Sequence, residues 1–338
     1  MPKKSWNMAI VGATGAVGQE LIKILEERSF PVGSLKLLAS ENSLGKTIPF
    51  HDRDFPVDAL NENSFNGVEI AFFSAGSEIS KKFAPIAAKA GATVIDNTAF
   101  FRMDADVPLI VPEVNPEKIA EGKKRGIIAN PNCSTIQLVV VLKALMQKAK
   151  IKRVVVSTYQ SVSGAGLEAM AELSSQTVAL FSQKEIEAHA FPHRIAFNCI
   201  PHIDLFLEDG YTKEERKLMD ETSKILGTKV PLTATTVRVP VFYGHSESVN
   251  IEFESKITAR EAHDLLKKAP GVEVMDLPLE NIYPLATSAA GKDPVYVGRI
   301  REDVTVPFGL NCWIVADNIR KGAALNAVQI AELCVSSS

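Results

Sequence analysis

The chain has 338 residues, of which 46% are hydrophobic and 23% charged. At about 100–200 residues per domain this length predicts two domains, and the balance excludes disordered, collagen-like and coiled-coil chains. A formal charge of −3 excludes bulk attraction to nucleic acid or to an anionic membrane, so any bound anion must be held by a few placed residues.

Lys3 and Lys4 ahead of an apolar stretch imitate a secretory signal, but Gly12, Gly15 and Gly18 interrupt any apolar core. Residues 8–11 read as a strand. Residues 15–28 read as a helix, with Val17, Leu21, Ile24 and Leu25 at helical spacing. Further strands are expected at 35–39, 68–74, 93–95 and 126–129, with a helix at 80–90. The run VEIAFFS at 68–74 is continuously apolar, as a strand covered on both faces should be. Such alternation predicts a parallel, Rossmann-like sheet with helices on both faces.

From Ser134 the texture changes. A long helix at 134–150 precedes strands at 153–161, 235–241, 246–254 and 295–302 that alternate apolar and polar residues. They predict an α+β unit with a mixed sheet covered on one face. Helices are expected at 167–180 and 259–268, then a strand at 313–316 and a closing helix at 323–333. The expected division is residues 1–132 with about 312–338 as the dinucleotide domain, and 133–311 as the second domain. No apolar run reaches the roughly 18 residues of a membrane span, which points to the cytoplasm. The cysteines, Cys133, Cys199, Cys312 and Cys334, form no CxxC pair and read as reduced thiols.

GATGAVG at 12–18 follows a strand and opens a helix. Glycines allow close backbone approach to a pyrophosphate, and a helix N-terminus offers free N–H groups and a positive dipole end. Gly12, Thr14, Gly15, Ala16, Val17 and Gly18 are therefore the candidate cofactor loop. The spacing is GxxGxxG, a variant often seen with NADP. At the tip of the second strand, Glu41 favours a ribose hydroxyl, whereas Ser40, Asn42 and Ser43 offer hydrogen bonds to a 2′-phosphate. The segment leaves the choice between NAD and NADP open.

Cys133, in NPNCST, stands at the start of the long helix, where the dipole favours thiolate over thiol. It is the candidate nucleophile. Cys199, Cys312 and Cys334 lie in apolar stretches and read as core. His189 and His193 are four apart, but Pro192 intervenes and nothing completes a metal site, so no metal is expected. His245, in a loop before a strand, is the candidate general base. Arg238 can fork onto a carboxylate, and Arg102 falls near the end of a parallel strand, where open α/β sheets bind ligands. Lys217 is either a further cation or a solvated helix charge.

Together these residues resemble bacterial-type aspartate-semialdehyde dehydrogenases over essentially the whole chain. The stretches are GATGAVG at 12–18, NTAFFRMD at 97–104, VPEVNP at 111–116, NPNCST at 130–135, YQSVSGAG at 159–166, FPHRIAFNCIPHID at 191–204, RVPVFYGHSESV at 238–249 and ADNIRKGAA at 316–324. Related acyl-phosphate reductases surround their cysteine differently, with SCTTN or PGC. The resemblance implies NADPH-dependent reductive dephosphorylation of L-aspartyl-4-phosphate to L-aspartate 4-semialdehyde, on the route to lysine, diaminopimelate, threonine and methionine. It assigns Cys133 as acyl-thioester nucleophile and His245 as acid/base. Gln160, Arg238 and Glu214 are assigned to the substrate and Arg102 and Lys217 to phosphate. Thr14 to Val17, Ser163, Gly164 and Asn318 are assigned to the cofactor. It further implies a homodimer, in some members a tetramer, paired through the second domain, and a C-terminal helix returning to the first. Glu41 and Asn42 depart from the basic residues common there, which predicts NADP with NAD as a weaker alternative. The rival readings are an acyl-phosphate reductase of another substrate and a non-catalytic dinucleotide sensor.

Overall fold

The computed structural model describes residues 5–336, so Lys3 and Lys4 of the signal-like start lie outside it. The chain divides into two compact units, residues 1–132 with 323–338 and residues 133–322. In chain order the elements begin β1 (Trp6–Val11), α1 (Ala16–Glu27), β2 (Val32–Ala39), β3 (Thr47–Phe50), β4 (Arg53–Ala59), β5 (Ile70–Phe73), α2 (Ser77–Lys89), β6 (Thr93–Asp96) and β7 (Ile127–Ala129). They continue with α3 (Cys133–Leu145), β8 (Ile151–Gln160), α4 (Leu167–Phe181), α5 (Lys213–Leu226), β9 (Leu232–Arg238), β10 (His245–Phe253), α6 (Ala259–Lys268) and β11 (Val272–Val274). The last are α7 (Ala286–Ala289), β12 (Val295–Asp303), β13 (Gly309–Ala316) and α8 (Leu325–Ser336). Among the described residues no helix is long and apolar enough to cross a membrane.

The first unit is built on a seven-stranded sheet in the order β3-β4-β2-β1-β5-β6-β7. Every pairing is parallel except the β3–β4 hairpin. Ile70, Ala71, Phe72 and Phe73 of β5 are all buried, as a strand covered on both faces requires. The strand order reverses between β1 and β5, and the glycine loop leaves the carboxyl end of β1, where such sheets bind ligands. α8 packs back onto this unit. Its Leu325, Val328 and Ile330 share a core with Leu21, Ile24 and Leu25 of α1, and Arg28 pairs with Glu332 through two N–H···O contacts of 2.7 and 2.8 Å.

The second unit carries a six-stranded mixed sheet in the order β11-β12-β13-β10-β8-β9. Its central strands alternate as expected. In β10, His245, Glu247, Val249, Ile251 and Phe253 are buried, and in β9 so are Leu232, Ala234, Thr236 and Arg238. α3 is buried on nearly every position, which a uniformly apolar helix demands. It begins at Cys133 itself and ends at Leu145, five residues short of the expected end. The expected domain boundary near residue 312 is corrected to 322–323, because β13 pairs with both β10 and β12 and so belongs to the second sheet.

Candidate active site

The candidate cofactor residues of the first unit lie on and beside the loop between β1 and α1. Gly12 adopts φ +88°, and a Cβ there would meet the Ser74 carbonyl carbon at 2.9 Å, so only glycine fits. Gly15 is the N-cap of α1 and no side chain caps that helix. The first-turn N–H groups, beginning at Ala16, Val17 and Gly18, therefore face outward as an anion site does. These features suit the pyrophosphate of a dinucleotide. Ser40, Glu41 and Asn42 are exposed beside the loop, whereas Ser43 is buried with its Oγ 3.3 Å from Thr14 Oγ1. Ser43 thus supports the loop and leaves the outward positions to its neighbours. Arg102, also in this unit, is 7% exposed; its Nε donates to Asn130 O at 2.9 Å and its Nη2 to Asn97 O at 2.7 Å. These bonds fix the guanidinium at the carboxyl ends of β6 and β7.

In the second unit the covered face of the sheet runs apolar until the strand ends, where chemistry replaces packing. Gln160 closes β8 and pairs in register with Arg238, which closes β9. His245 opens β10, fully buried, and is not in a loop as expected. Gln160 Nε2 donates to Ser134 Oγ at 3.0 Å and to Glu214 Oε1 at 3.3 Å, tying the strand end to the first turn of α3 and to α5. Arg238 Nη1 donates to the carbonyl of Ser161 at 2.6 Å. Burial lowers the Arg238 pKa, while Glu214 and Cys133 work against that shift. Arg238 therefore stands in electrostatic contact with the proposed nucleophile. A Cβ on Gly164 would lie 3.0 Å from Arg238 Nη1 and 3.1 Å from His245 Nε2. Glycine at this position lets the backbone approach both buried groups closely.

His245 Nδ1 accepts from the Ser161 backbone N–H at 3.1 Å. Burial first, then the Arg238 charge, hold its pKa well below the ordinary value of 6.5. Lys217 is half-buried and ion-paired. Its Nζ donates to Asp204 Oδ2 at 2.8 Å and Glu214 Oε2 at 3.1 Å. Burial opposes its charge, but the two carboxylates outweigh burial and raise its pKa.

The structure thus gathers Cys133, Gln160, Arg238, His245, Glu214 and Lys217 in one unit, and Ser163, Gly164 and Asn318 beside them. Asn318 Oδ1 accepts from Gly244 N, Ser161 Oγ and Ser163 Oγ at 2.9, 3.0 and 3.2 Å. Sequence reasoning missed Ser161 and Asp204. Ser161 lies within the stretch YQSVSGAG, but its partner His245 is 84 residues away and the contact cannot be read from either segment. Of the cysteines expected in the core, Cys312 is buried and Cys334 half-buried, but Cys199 is exposed. His189 and His193 fall in the irregular segment between α4 and α5, not on a helix.

Comparison with known proteins agrees with this geometry. Residues 7–122 match the family described as semialdehyde dehydrogenase, NAD binding domain, and residues 142–321 its dimerisation domain. The aspartate-semialdehyde dehydrogenase of Aquifex aeolicus is 59% identical over 333 residues, 98% of each chain. A crystal structure of aspartate semialdehyde dehydrogenase II from Vibrio cholerae, complexed with ASA, superposes with a TM-score of 0.96 at 51% identity over 99% of both chains. The NADP-bound enzyme of Candida albicans superposes with a TM-score of 0.76 at 25% identity, covering 98% of this chain and 99% of that one. With a thiol at a helix start, an uncapped glycine loop and this likeness along nearly its full length, the chain belongs to the aspartate-semialdehyde dehydrogenase family.

Proposed function

We propose that the protein catalyses the NADPH-dependent reductive dephosphorylation of L-aspartyl-4-phosphate to L-aspartate 4-semialdehyde, as a cytoplasmic homodimer serving lysine, diaminopimelate, threonine and methionine synthesis. The observation that carries this reading is the grouping of Cys133, at the start of α3, with Arg238, at the end of β9, and His245, at the start of β10. The Cys133 thiolate attacks the acyl phosphate, forming a thioester as phosphate leaves. The nicotinamide cofactor, when bound, supplies the hydride that reduces the thioester. His245 is the acid/base, giving a proton to the acyl oxygen as the thioester is reduced and taking it back as the C–S bond breaks, its electron pair returning to Cys133 and the aldehyde leaving. Arg238, with one Nη committed to Ser161, keeps the rest of its fork for the substrate carboxylate. Gln160 and Glu214, joined by a hydrogen bond, are the further substrate residues. Arg102 and Lys217 are the cations for phosphate, Lys217 being paired with Asp204 and Glu214.

The test is phosphate-dependent reduction of the cofactor with aspartate semialdehyde, run against other small aldehydes. Cys133→Ala should bind cofactor normally and lose turnover by at least a thousandfold. Near-normal turnover of that variant would remove Cys133 from the mechanism. The cofactor loop argues for NADP with relaxed selectivity. Glu41 repels a 2′-phosphate by about 1 kcal/mol or less at an exposed site. A missing charge-assisted hydrogen bond at Asn42 costs about 1.5–3 kcal/mol. NAD should therefore support measurable turnover, and Asn42→Arg should raise the NADP preference about tenfold, read as the ratio of kcat/KM values. A wild type that rejects NAD several-thousandfold would place the 2′-phosphate on another residue.

A further inference from the structure

α8 buries one amide among apolar residues. Asn326 is fully buried between Leu325 and Ala327, which both join the core of the first unit, and a buried amide needs partners. Its Nδ2 donates to the Ile110 carbonyl at 3.0 Å and to Asn130 Oδ1 at 2.6 Å. Asn130, also buried, passes the bond on. Its Nδ2 donates to Asn97 Oδ1 at 2.7 Å and to the Ala323 carbonyl at 3.3 Å. Asn97 Nδ2 in turn donates to the Phe73 carbonyl at 3.3 Å. A backbone carbonyl can only accept, so Ile110, Ala323 and Phe73 each fix which end of one amide is the donor. The three amides therefore stand in series with a single direction, from Asn326 through Asn130 to Asn97. All of these residues belong to the first unit.

The series ends on the two residues whose backbone holds Arg102. Arg102 Nε donates to the Asn130 carbonyl and Nη2 to the Asn97 carbonyl, so the guanidinium is only as well aimed as those two carbonyls are fixed to each other. The side-chain bond between Asn130 and Asn97 ties them directly. The backbone adds a second tie, from Asn130 N to the Asp96 carbonyl at 2.8 Å. The buried Asp96 carboxylate accepts from Ser80 Oγ, Thr98 N and Thr98 Oγ1 at 2.8, 3.0 and 2.9 Å, which anchors the chain on both sides of Asn97. We infer that Asn326 is a positioning residue for phosphate: through Asn130 and Asn97 it holds the carbonyls that aim Arg102, so the closing helix completes an anion site formed at the ends of β6 and β7. The inference rests on the reading of Arg102 as a phosphate ligand. Without the Asn326 donor, the buried Asn130 Oδ1 loses that partner, and turning the amide to regain one breaks its bond to Asn97. The guanidinium then samples several directions. Phosphate, which a guanidinium recognises by the geometry of its fork, is the ligand that suffers.

Asn326→Leu nearly keeps the volume and removes the donor. In the phosphate-dependent oxidation of aspartate semialdehyde, its KM for inorganic phosphate should rise about fivefold or more, while the KM values for the aldehyde and for NADP stay within about twofold. In an Arg102→Leu background the same substitution should change the phosphate KM by less than about twofold, because the guanidinium it aims is gone. Nitrogen-15 NMR of arginine-labelled full-length protein gives a readout independent of turnover. The Arg102 Nε–H, assigned by its loss in Arg102→Leu, should exchange slowly with solvent in the wild type and about tenfold faster or more in Asn326→Leu. If that variant does not fold, Asn326→Ser, too short to reach Asn130, takes its place with the same expectations. An unchanged phosphate KM, or a rise shared equally by all three KM values as a loss of structure alone would give, would overturn the proposal. Unchanged Nε–H exchange would do the same. Absence of phosphate-dependent activity in the wild type would refute the proposed function, while the exchange rates would still decide whether Asn326 positions Arg102.

Discussion

Glu247 sits two residues beyond His245 on the same covered face, wholly buried, with neither carboxyl oxygen in a hydrogen bond among the described residues. It pairs across the sheet with Thr158 and Ile314, and Gln137, one turn into α3 from Cys133, faces it. Burial raises its pKa well above 4.5, against a smaller lowering by Gln137. The folded state therefore holds a proton that the unfolded chain releases. Below about pH 4.5 both states are protonated and stability is complete. As pH climbs, the unfolded chain ionises first and stability falls, by about 1.4 kcal/mol per pH unit, until the folded pKa is reached. Glu247→Gln removes this dependence. Its stability relative to wild type, measured by urea unfolding, should rise between about pH 5 and pH 7; parallel curves would show that Glu247 is ionised in the fold. Glu247 was illegible in the sequence, because a glutamate in an alternating strand gives no sign of facing inward. Cys133 and Arg238 drew notice in the sequence from their residue types and setting, whereas Gln160 was named only through the resemblance. Lys217 was legible as a cation but not as a neutralised one, because Asp204 reaches it from 13 residues away.

Elements with a strong apolar period declared themselves. α1 places Leu21, Ile24 and Leu25 on one buried stripe, and β5 is a solid apolar run. The β3–β4 hairpin went unread, since Pro49 and Pro56 argue against strands and are accommodated only because β3 forms the sheet edge and β4 lies next to it. α5, too, went unread as an element. Its sequence KEERKLMDETSKIL is mostly charged, and its order comes from the first turn. Thr212 Oγ1 accepts from Glu215 N at 3.3 Å, and Glu215 Oε2 accepts from Thr212 N at 2.7 Å, a reciprocal cap. Glu215 Oε1 also accepts from Thr236 N at 3.0 Å, so the cap docks the helix onto β9. Because this turn carries Glu214, the cap positions a site residue. Thr212→Ala should cost about 1 kcal/mol and lower the melting temperature by about 2–4 °C. An unchanged transition by calorimetry would show that packing of Leu218 and Ile225 alone holds α5.

At the scale of the whole molecule the two units differ in how the chain enters them. Residues 133–322 form one continuous segment, whereas the first unit is assembled from residues 1–132 and the closing stretch 323–338. The closing helix was legible from its pattern, and its return to the first unit was implied only by the resemblance. The place where the chain re-enters was not, because β13 reads as well for one sheet as for the other until its partners are known. α8 supplies Leu325, Ala327, Val328, Ile330 and Ala331 to the core that includes Met8, Ile10 and Leu37. A chain stopped after residue 322 should therefore keep a protease-resistant second unit and expose residues 1–132 to cleavage. Equal resistance of both segments would show that the first core closes without α8. The same insertion sets an order on synthesis. Domains ordinarily fold as they emerge from the ribosome, amino-terminal first. Here residues 1–132 must wait, with an open core, while residues 133–322 are made and can fold, and the core beneath the glycine loop closes only when α8 is released.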